Sequence, residues 1–243
     1  MFNGCKILVL IPARGGSKGP LGKNLRILCG RPLICHSIET ALKSDLIDRV
    51  IVSTDSREIA EISKEAGAEV PFLRPAHLAE DLTPDLPVVQ HCLSWCKDQE
   101  RYVPEFIVFL RPTGPLRTVE EIEEAIRMLE ADPEADSVRS VIEPSGSPYK
   151  MFESSGRFLV PFIKQFKGAR EFYAGPRQAL PKVYQSVPDI HVLRTSIVKD
   201  QNSIIGSNIL PFFLNRPTVD IDNEFDLEIA EYLMKKRLTS PGF

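Results

Sequence analysis

The chain has 243 residues, 43% of them apolar and 26% charged, enough to bury a sizeable core. Its formal net charge of −3 leaves no global positive field to grip nucleic acid, so any bound polyanion needs a local cluster of cations. The five cysteines (Cys5, Cys29, Cys35, Cys92, Cys96) include no C-x-x-C pair, which argues against a zinc site or disulfide framework, and no run approaches the about 20 apolar residues of a membrane span; a cytoplasmic, non-membrane protein is expected.

Residues 6–11 (KILVLI) form a continuous apolar run, the pattern of a strand buried on both faces. A glycine-rich loop spans 12–24. Pro32 then stands where a helix begins, with Leu33, Ile34, Ile38, Ala41 and Leu42 at helical spacing. Residues 49–53 read as a second buried strand. Asp55 or Ser56 caps the next helix, which Gly67 ends. A short strand is predicted at 69–73, a helix at 84–97 and a buried strand at 106–110. Thr118 and Glu121 have capping-box spacing for a helix to Leu129. A strand at 137–142 follows. From 144 to 185 helical periodicity gives way to Pro, Gly, Ser and aromatics, read as a β-rich excursion. Strand character returns at 190–194 and 219–222, and an amphipathic helix over 224–236 precedes a frayed tail from Thr239. The alternation of strands and helices predicts an α/β fold, a mostly parallel sheet between two helical layers.

The loop after the first strand is where parallel α/β sheets bind ligands. Gly15, Gly16, Gly19 and Gly22 let backbone amides approach an anion, and Arg14, Lys18 and Lys23 place three cations within ten residues, a combination suited to a triphosphate. It is not a P-loop: Gly22-Lys23 is followed by Asn24, not Ser or Thr, and G-x-G-x-x-G is absent. In Val219-Asp-Ile-Asp222 the acids alternate with apolar residues; on a strand both carboxylates share a face and suit a hard divalent cation. Alternatively, Asp222 or Asn223 caps the last helix. His36, His77, His91 and His191 show no ligand spacing; His91, Cys92 and Cys96 read as a mixed core face, and Trp95 as core.

The run I-P-A-R-G-G-S-K-G with Lys23-Asn24 resembles the nucleotide loop of the acylneuraminate cytidylyltransferases, the CMP-sialic acid synthetases. S-T-D at 53–55, R-P-A-H-L-A at 74–79, R-P-T-G-P-L-R at 111–117 and D-I-D at 220–222 follow in the family's order. The resemblance implies one cytidylyltransferase domain over 1–243 with a nucleotide-diphospho-sugar transferase-like, Rossmann-like fold, and a dimerisation and sugar-binding arm at 144–188. It implies a CTP-dependent transfer to a 2-keto-3-deoxy sugar acid, with Mg²⁺ on Asp220 and Asp222. Arg14, Lys18, Lys23 and Asp222 would carry the catalysis. Ala13, Arg14, Gly15, Lys18, Lys23, Asn24, Arg74 and Asp85 (or Thr83) would hold the nucleotide, and Arg111, Thr113, Lys150, Arg177 and Gln178 the sugar acid of a homodimeric enzyme.

Three departures stand out: Arg111 replaces the family's usual glutamine, Gly114 its serine, and Gln185-Ser-Val187 follows Tyr184 where relatives carry Asn-Gly. Standing alone, Arg74 reads as a surface arginine. Two other readings remain: a same-fold nucleotidyltransferase using another nucleotide and a sugar phosphate, or a catalytically inactive nucleotide-binding relative.

Overall fold

The computed structural model describes residues 2–16, 22–168 and 171–239. The predicted tail beyond residue 239 lies outside them. By internal contact the chain divides into two units, a body (Met1–Ser140 with Val187–Phe243) and an excursion, Val141–Ser186.

In chain order the body holds β1 (Ile7–Pro12), the short pair β2 (Ile27–Leu28) and β3 (Arg31–Pro32), α1 (Leu33–Leu42), β4 (Arg49–Ser53), α2 (Arg57–Glu65), α3 (Asp85–Glu100), β5 (Phe106–Phe109), α4 (Val119–Ala131) and β6 (Ser137–Ile142). The excursion holds β7 (Phe152–Ser155) and β8 (Phe158–Pro161). The chain then forms β9 (Gln185–Arg194), α5 (Thr195–Asp200), β10 (Ile209–Phe213) and α6 (Glu224–Thr239).

The central sheet has the order β10-β6-β9-β5-β1-β4. β1 pairs in parallel with β4 and with β5, placing Val9 opposite Val50 and Val108, whereas β9 runs antiparallel to β5. The result is the expected mixed α/β fold with a mostly parallel sheet. Residues 7–11 of β1 are fully buried, as its unbroken apolar run predicts. On one face Leu8, Leu10, Ile107 and Phe109 meet Cys92 and Cys96 of α3 and Ile197 of α5. The intervening Ile7, Val9 and Val108 are equally buried, on the face where α1 and α4 contact the sheet and each other. Trp95 packs at the edge of the α3 cluster, as read from the sequence. Each such aliphatic side chain withdrawn from water contributes about 2 kcal/mol.

Local signals set the boundaries. Pro32 precedes the first residue of α1, and Ser56, rather than Asp55, caps α2 by accepting from the Ile59 N–H at 3.3 Å. Gly67 adopts φ 97° just beyond α2, where a Cβ would also meet Leu42 at 2.9 Å. Thr118 and Glu121 form the capping box of α4 at 3.2 and 2.9 Å.

The strand predicted at 69–73 is a single bridge. Glu69 exchanges hydrogen bonds with Val50 and Val52, but Pro71, the next residue in ladder phase, has no N–H to donate. The strand predicted at 219–222 is irregular chain; its Ile221 N–H donates to the Thr113 carbonyl at 3.0 Å in place of a strand ladder. α5 and β10 have no counterpart in the sequence reading; β10 carries Pro211, which a terminal strand of the sheet tolerates.

Within the excursion, β7 and β8 form an antiparallel hairpin with Gly156 at φ 63° in its turn. Tyr149, Phe166 and Phe172 make edge-on ring contacts at 5.0–6.2 Å.

Candidate active site

The Ala13 N–H donates to the Ser53 carbonyl at 3.0 Å, so the chain leaves the sheet only at Arg14. The Asn24 side-chain amide, buried under the loop, holds the Arg14 carbonyl at 3.0 Å. The Arg14 guanidinium is thereby placed at the carboxyl end of β1, 3.0 Å from Asp81. Gly15 makes a close turn: its N–H donates to Asp55 at 2.9 Å, and a Cβ would meet that of Ser56 at 3.1 Å. That amide, expected to face a phosphate, is committed to Asp55. Lys18 lies outside the described residues. Lys23 begins a single turn of 3-10 helix and reaches Asp222 at 3.0 Å.

Arg74 is 6% exposed and not the surface arginine that its type alone suggests. Its Nε donates to Ser53 Oγ at 3.0 Å and its Nη2 to the Ser53 carbonyl, clamping the end of β4. Burial depresses its pKa, with nearby Asp55 and Asp85 opposing. Asn24 and Arg74 therefore shape the site's floor with donors already engaged by protein.

After β5, Arg111 forms an ion pair with Asp85 in the first turn of α3. Thr113 holds Ile221 through its carbonyl. The turn is locked by Arg117, 3% exposed, which donates to the carbonyls of Asp189 (2.6 Å), Arg111 (2.5 Å) and Pro188 (3.2 Å) and to Ser37 Oγ (2.5 Å). Complete burial lowers its pKa to about 10. A Cβ on Gly114 would meet Arg117 Nη2 at 3.0 Å and the Asp189 backbone at 3.2 Å, which explains glycine where the family carries serine. Asp189, fully buried, also accepts from Arg216 at 2.9 Å and Thr218 at 2.5 Å. Sequence reasoning missed this buried network, because most of its partners are 27 to 80 residues apart.

Asn223, not Asp222, caps α6: its side chain accepts from the Asp226 N–H at 3.0 Å, while the Asp226 carboxylate accepts from the N–H groups of Asp222 and Asn223. The Asp222 carboxylate is left facing Lys23. The Asp220 carboxyl is raised by desolvation and by the Asp222 charge, against the Thr113 hydroxyl and the charges of Lys23 and Arg111. Hard carboxylate oxygens of this kind fit Mg²⁺, which takes one or two of them and fills its remaining positions with water and phosphate. The described residues contain no cluster of three or more His, Cys, Asp and Glu that could hold a metal.

Arg14, Lys23, Asn24, Arg74, Asp85, Arg111, Thr113 and Asp222 line one cleft of about 430 Å³ outside the carboxyl ends of β1 and β5. The position is that of ligand sites in open α/β sheets. Glu80, Asp81 and Thr83 complete its wall. Three of the cations are ion-paired there: Arg14 with Asp81, Lys23 with Asp222, Arg111 with Asp85.

Lys150, Arg177 and Gln178 belong to the excursion. Lys150 donates to the Gly175 carbonyl at 2.6 Å and Arg177 to the Pro144 carbonyl at 2.7 Å, and Arg177 and Gln178 line a separate cavity of about 380 Å³ with Glu143 and Lys182.

The family model described as cytidylyltransferase matches residues 8–156. The CMP-N,N'-diacetyllegionaminic acid synthase of Legionella pneumophila is 31% identical over 95% of this chain and 97% of its own. The N-acylneuraminate cytidylyltransferase of Escherichia coli is 38% identical over 96% of this chain and 53% of its own. A solved CMP:2-keto-3-deoxy-manno-octonic acid synthetase, complexed with CTP, superposes with a TM-score of 0.69 at 18% identity, covering 96% of this chain and 99% of the other, and shares the fold. With the family match spanning more than half of the chain and the cleft in the place that the fold reserves for its ligand, this protein belongs to the cytidylyltransferase family.

Proposed function

We propose that this chain transfers CMP from CTP to a nonulosonate, a nine-carbon 2-keto-3-deoxy sugar acid. The anomeric 2-hydroxyl attacks the α-phosphorus and loses its proton, the bond from that phosphorus to the bridging oxygen breaks, and pyrophosphate leaves. The observation that carries the reading is the cleft, where Arg14, Lys23 and Arg111 converge with Asp222. Relatives that are 28–38% identical over nearly the whole chain are named for legionaminic, pseudaminic or acylneuraminic acid, which favours that class over eight-carbon acids.

Arg14 and Lys23 compensate phosphate charge, exchanging Asp81 and Asp222 for phosphate oxygens as the nucleotide enters; cations preorganised in this way lower the barrier most where charge develops. Arg74 and Asn24 keep the walls in register for that exchange. Asp220 and Asp222 would hold Mg²⁺, which supplies charge neutralisation at the phosphates. The excursion serves as a dimerisation arm: Phe158, Leu159 and Phe162 expose large apolar surface. No described helix is long and apolar enough to cross a membrane, and all five cysteines are unpaired, as a reducing cytoplasm maintains.

The test is pyrophosphate release with CTP, UTP or GTP against N-acetylneuraminate, N,N'-diacetyllegionaminate, pseudaminate and a hexose 1-phosphate. The expected outcome is release with CTP and at least one nonulosonate. Release only with the sugar phosphate would overturn the reading.

A further inference from the structure

Behind Arg111 lies a group of side chains that the nucleotide chemistry does not use. His191 of β9 is 4% exposed, and neither ring nitrogen makes a hydrogen bond; the Ile204 backbone lies beside the ring without reaching bonding geometry. Its ring meets Phe109 edge-on at 6.2 Å, and the Arg111 guanidinium lies 5.4 Å from the centre of that same Phe109 ring. β6, the strand beside β9, contributes Arg139, whose Nε is buried with no partner. Among the described residues Arg139 makes no ion pair, whereas Arg111 has Asp85.

The charges around this spot do not balance. Arg139 is depressed by burial and next by the charge of Arg111, with Asp85 the sole opposing influence. His191 is driven down to about 3 by burial and by both arginines, so it stays neutral. Arg111 has its carboxylate in Asp85, while Arg139 has none of its own and keeps a buried Nε–H without an acceptor. A buried donor left unsatisfied destabilises the fold, and a buried cation more so. A second anion, planar and able to accept from a guanidinium, would offset that cost. The phosphates have Arg14 and Lys23 on the other side of the cleft; the remaining anionic group of the proposed substrate pair is the carboxylate of the sugar acid.

We propose that Arg139, together with Arg111 and against the neutral face of His191, forms the subsite that positions the sugar-acid carboxylate. The assignment rests on the cytidylyltransfer reading given above. It makes Arg139 a positioning residue: it orients the acceptor so that its anomeric hydroxyl faces the α-phosphorus. It also gives the glutamine-to-arginine departure at 111 a purpose, since a pair of guanidinium groups recognises a carboxylate where an amide beside one arginine would do so less tightly.

The experiment uses the full chain. The wild type is first assayed with CTP and the three nonulosonates; the acid with the highest kcat/KM and its methyl ester then serve as probes for Arg139→Leu, Arg139→Gln and Arg139→Lys. The wild type is expected to prefer the acid over the ester by about 10- to 100-fold, the worth of a charge-assisted hydrogen bond. Arg139→Leu and Arg139→Gln should raise KM for the acid by a similar factor, leave KM for CTP within about twofold and abolish the preference over the ester, and Arg139→Lys should restore most of it. Unfolding temperature should not fall, because the cation is strained where it stands. Undiminished preference for the acid in a folded Arg139→Leu or Arg139→Gln variant, or a parallel rise in KM for CTP, overturns the subsite and leaves the overall reaction standing. A wild type inactive with every acid removes the reaction itself and the subsite with it.

Discussion

In the body, Leu8, Leu10, Ile107 and Phe109 disappear between the sheet and α3, while in the excursion Phe158 and Phe162 stand in solvent and Leu159 is 70% exposed. The two regions use the same kinds of side chain to opposite ends. The body closes its own core and anchors the cleft through buried polar clamps: Arg117 on four acceptors, Arg74 on Ser53, Asn24 on Arg14. Among its described residues the excursion holds itself with a hairpin, a few ring contacts and carbonyls capped by Lys150 and Arg177, and leaves apolar surface uncovered. The body buries its apolar side chains within itself and fixes the cleft with buried donors, whereas the excursion leaves much of its apolar surface open to solvent.

The comparison breaks first at the cleft. Asp222→Ala should lower kcat by at least about 10³-fold, several kcal/mol of lost charge stabilisation, while calorimetry finds CTP binding largely retained. Near-normal turnover would remove the acidic pair from the reaction. Next, Arg117→Ala leaves three carbonyls and a hydroxyl without their donor and should destabilise the body by about 3 kcal/mol in urea unfolding. A loss below about 1 kcal/mol would show that the clamp is dispensable.

The buried His191 sharpens the contrast through pH. Its pKa is about 3 in the folded chain against 6.5 unfolded, so on acidification the unfolded state takes up a proton that the folded state refuses. Stability from this residue is complete above pH 6.5 and declines as pH falls toward 3, with a slope of up to about 1.4 kcal/mol per pH unit. Comparing His191→Phe with the wild type between pH 7 and 5 should show that slope flattened; parallel stability curves would contradict the neutral, buried assignment. Gly114→Ser should cost about 1–2 kcal/mol, since the added atom presses on a guanidinium fixed by four acceptors and on the Asp189 backbone. In the excursion, Leu159→Glu should change unfolding free energy by no more than about 0.5 kcal/mol, and if the proposed dimerisation arm pairs two chains it should lower the sedimentation coefficient to that of a monomer. A substantial drop in the stability of the monomer would mean that the excursion guards a core of its own.

Much of the scaffold was legible from local patterns, since unbroken apolar runs, a capping box and a stop glycine act over a few residues. β1, β4, β6, α2 and α4 fall close to where those signals place them. The strand at 69–73 failed because Pro71 withholds one N–H, and that at 219–222 because alternation specifies an extended chain but not a neighbour to pair with. At the cleft, the loop motif pointed to Arg14 and Lys23, and D-I-D to the Asp222 that Lys23 meets, but nothing in the sequence pointed to Asp81 and Asp85 as the partners of Arg14 and Arg111.

What the residues by themselves determined is the α/β order, the phosphate-suited loop and the acidic couple, because propensity, capping and charge are properties of short segments. Only the tertiary structure decided that Asn223 takes the helix cap and frees Asp222, that Arg74 and Arg117 are buried clamps, and that Arg139 comes to lie beside Arg111 and His191. These outcomes depend on burial and on contacts between distant segments, and both come into being only when the sheet closes and its loops converge.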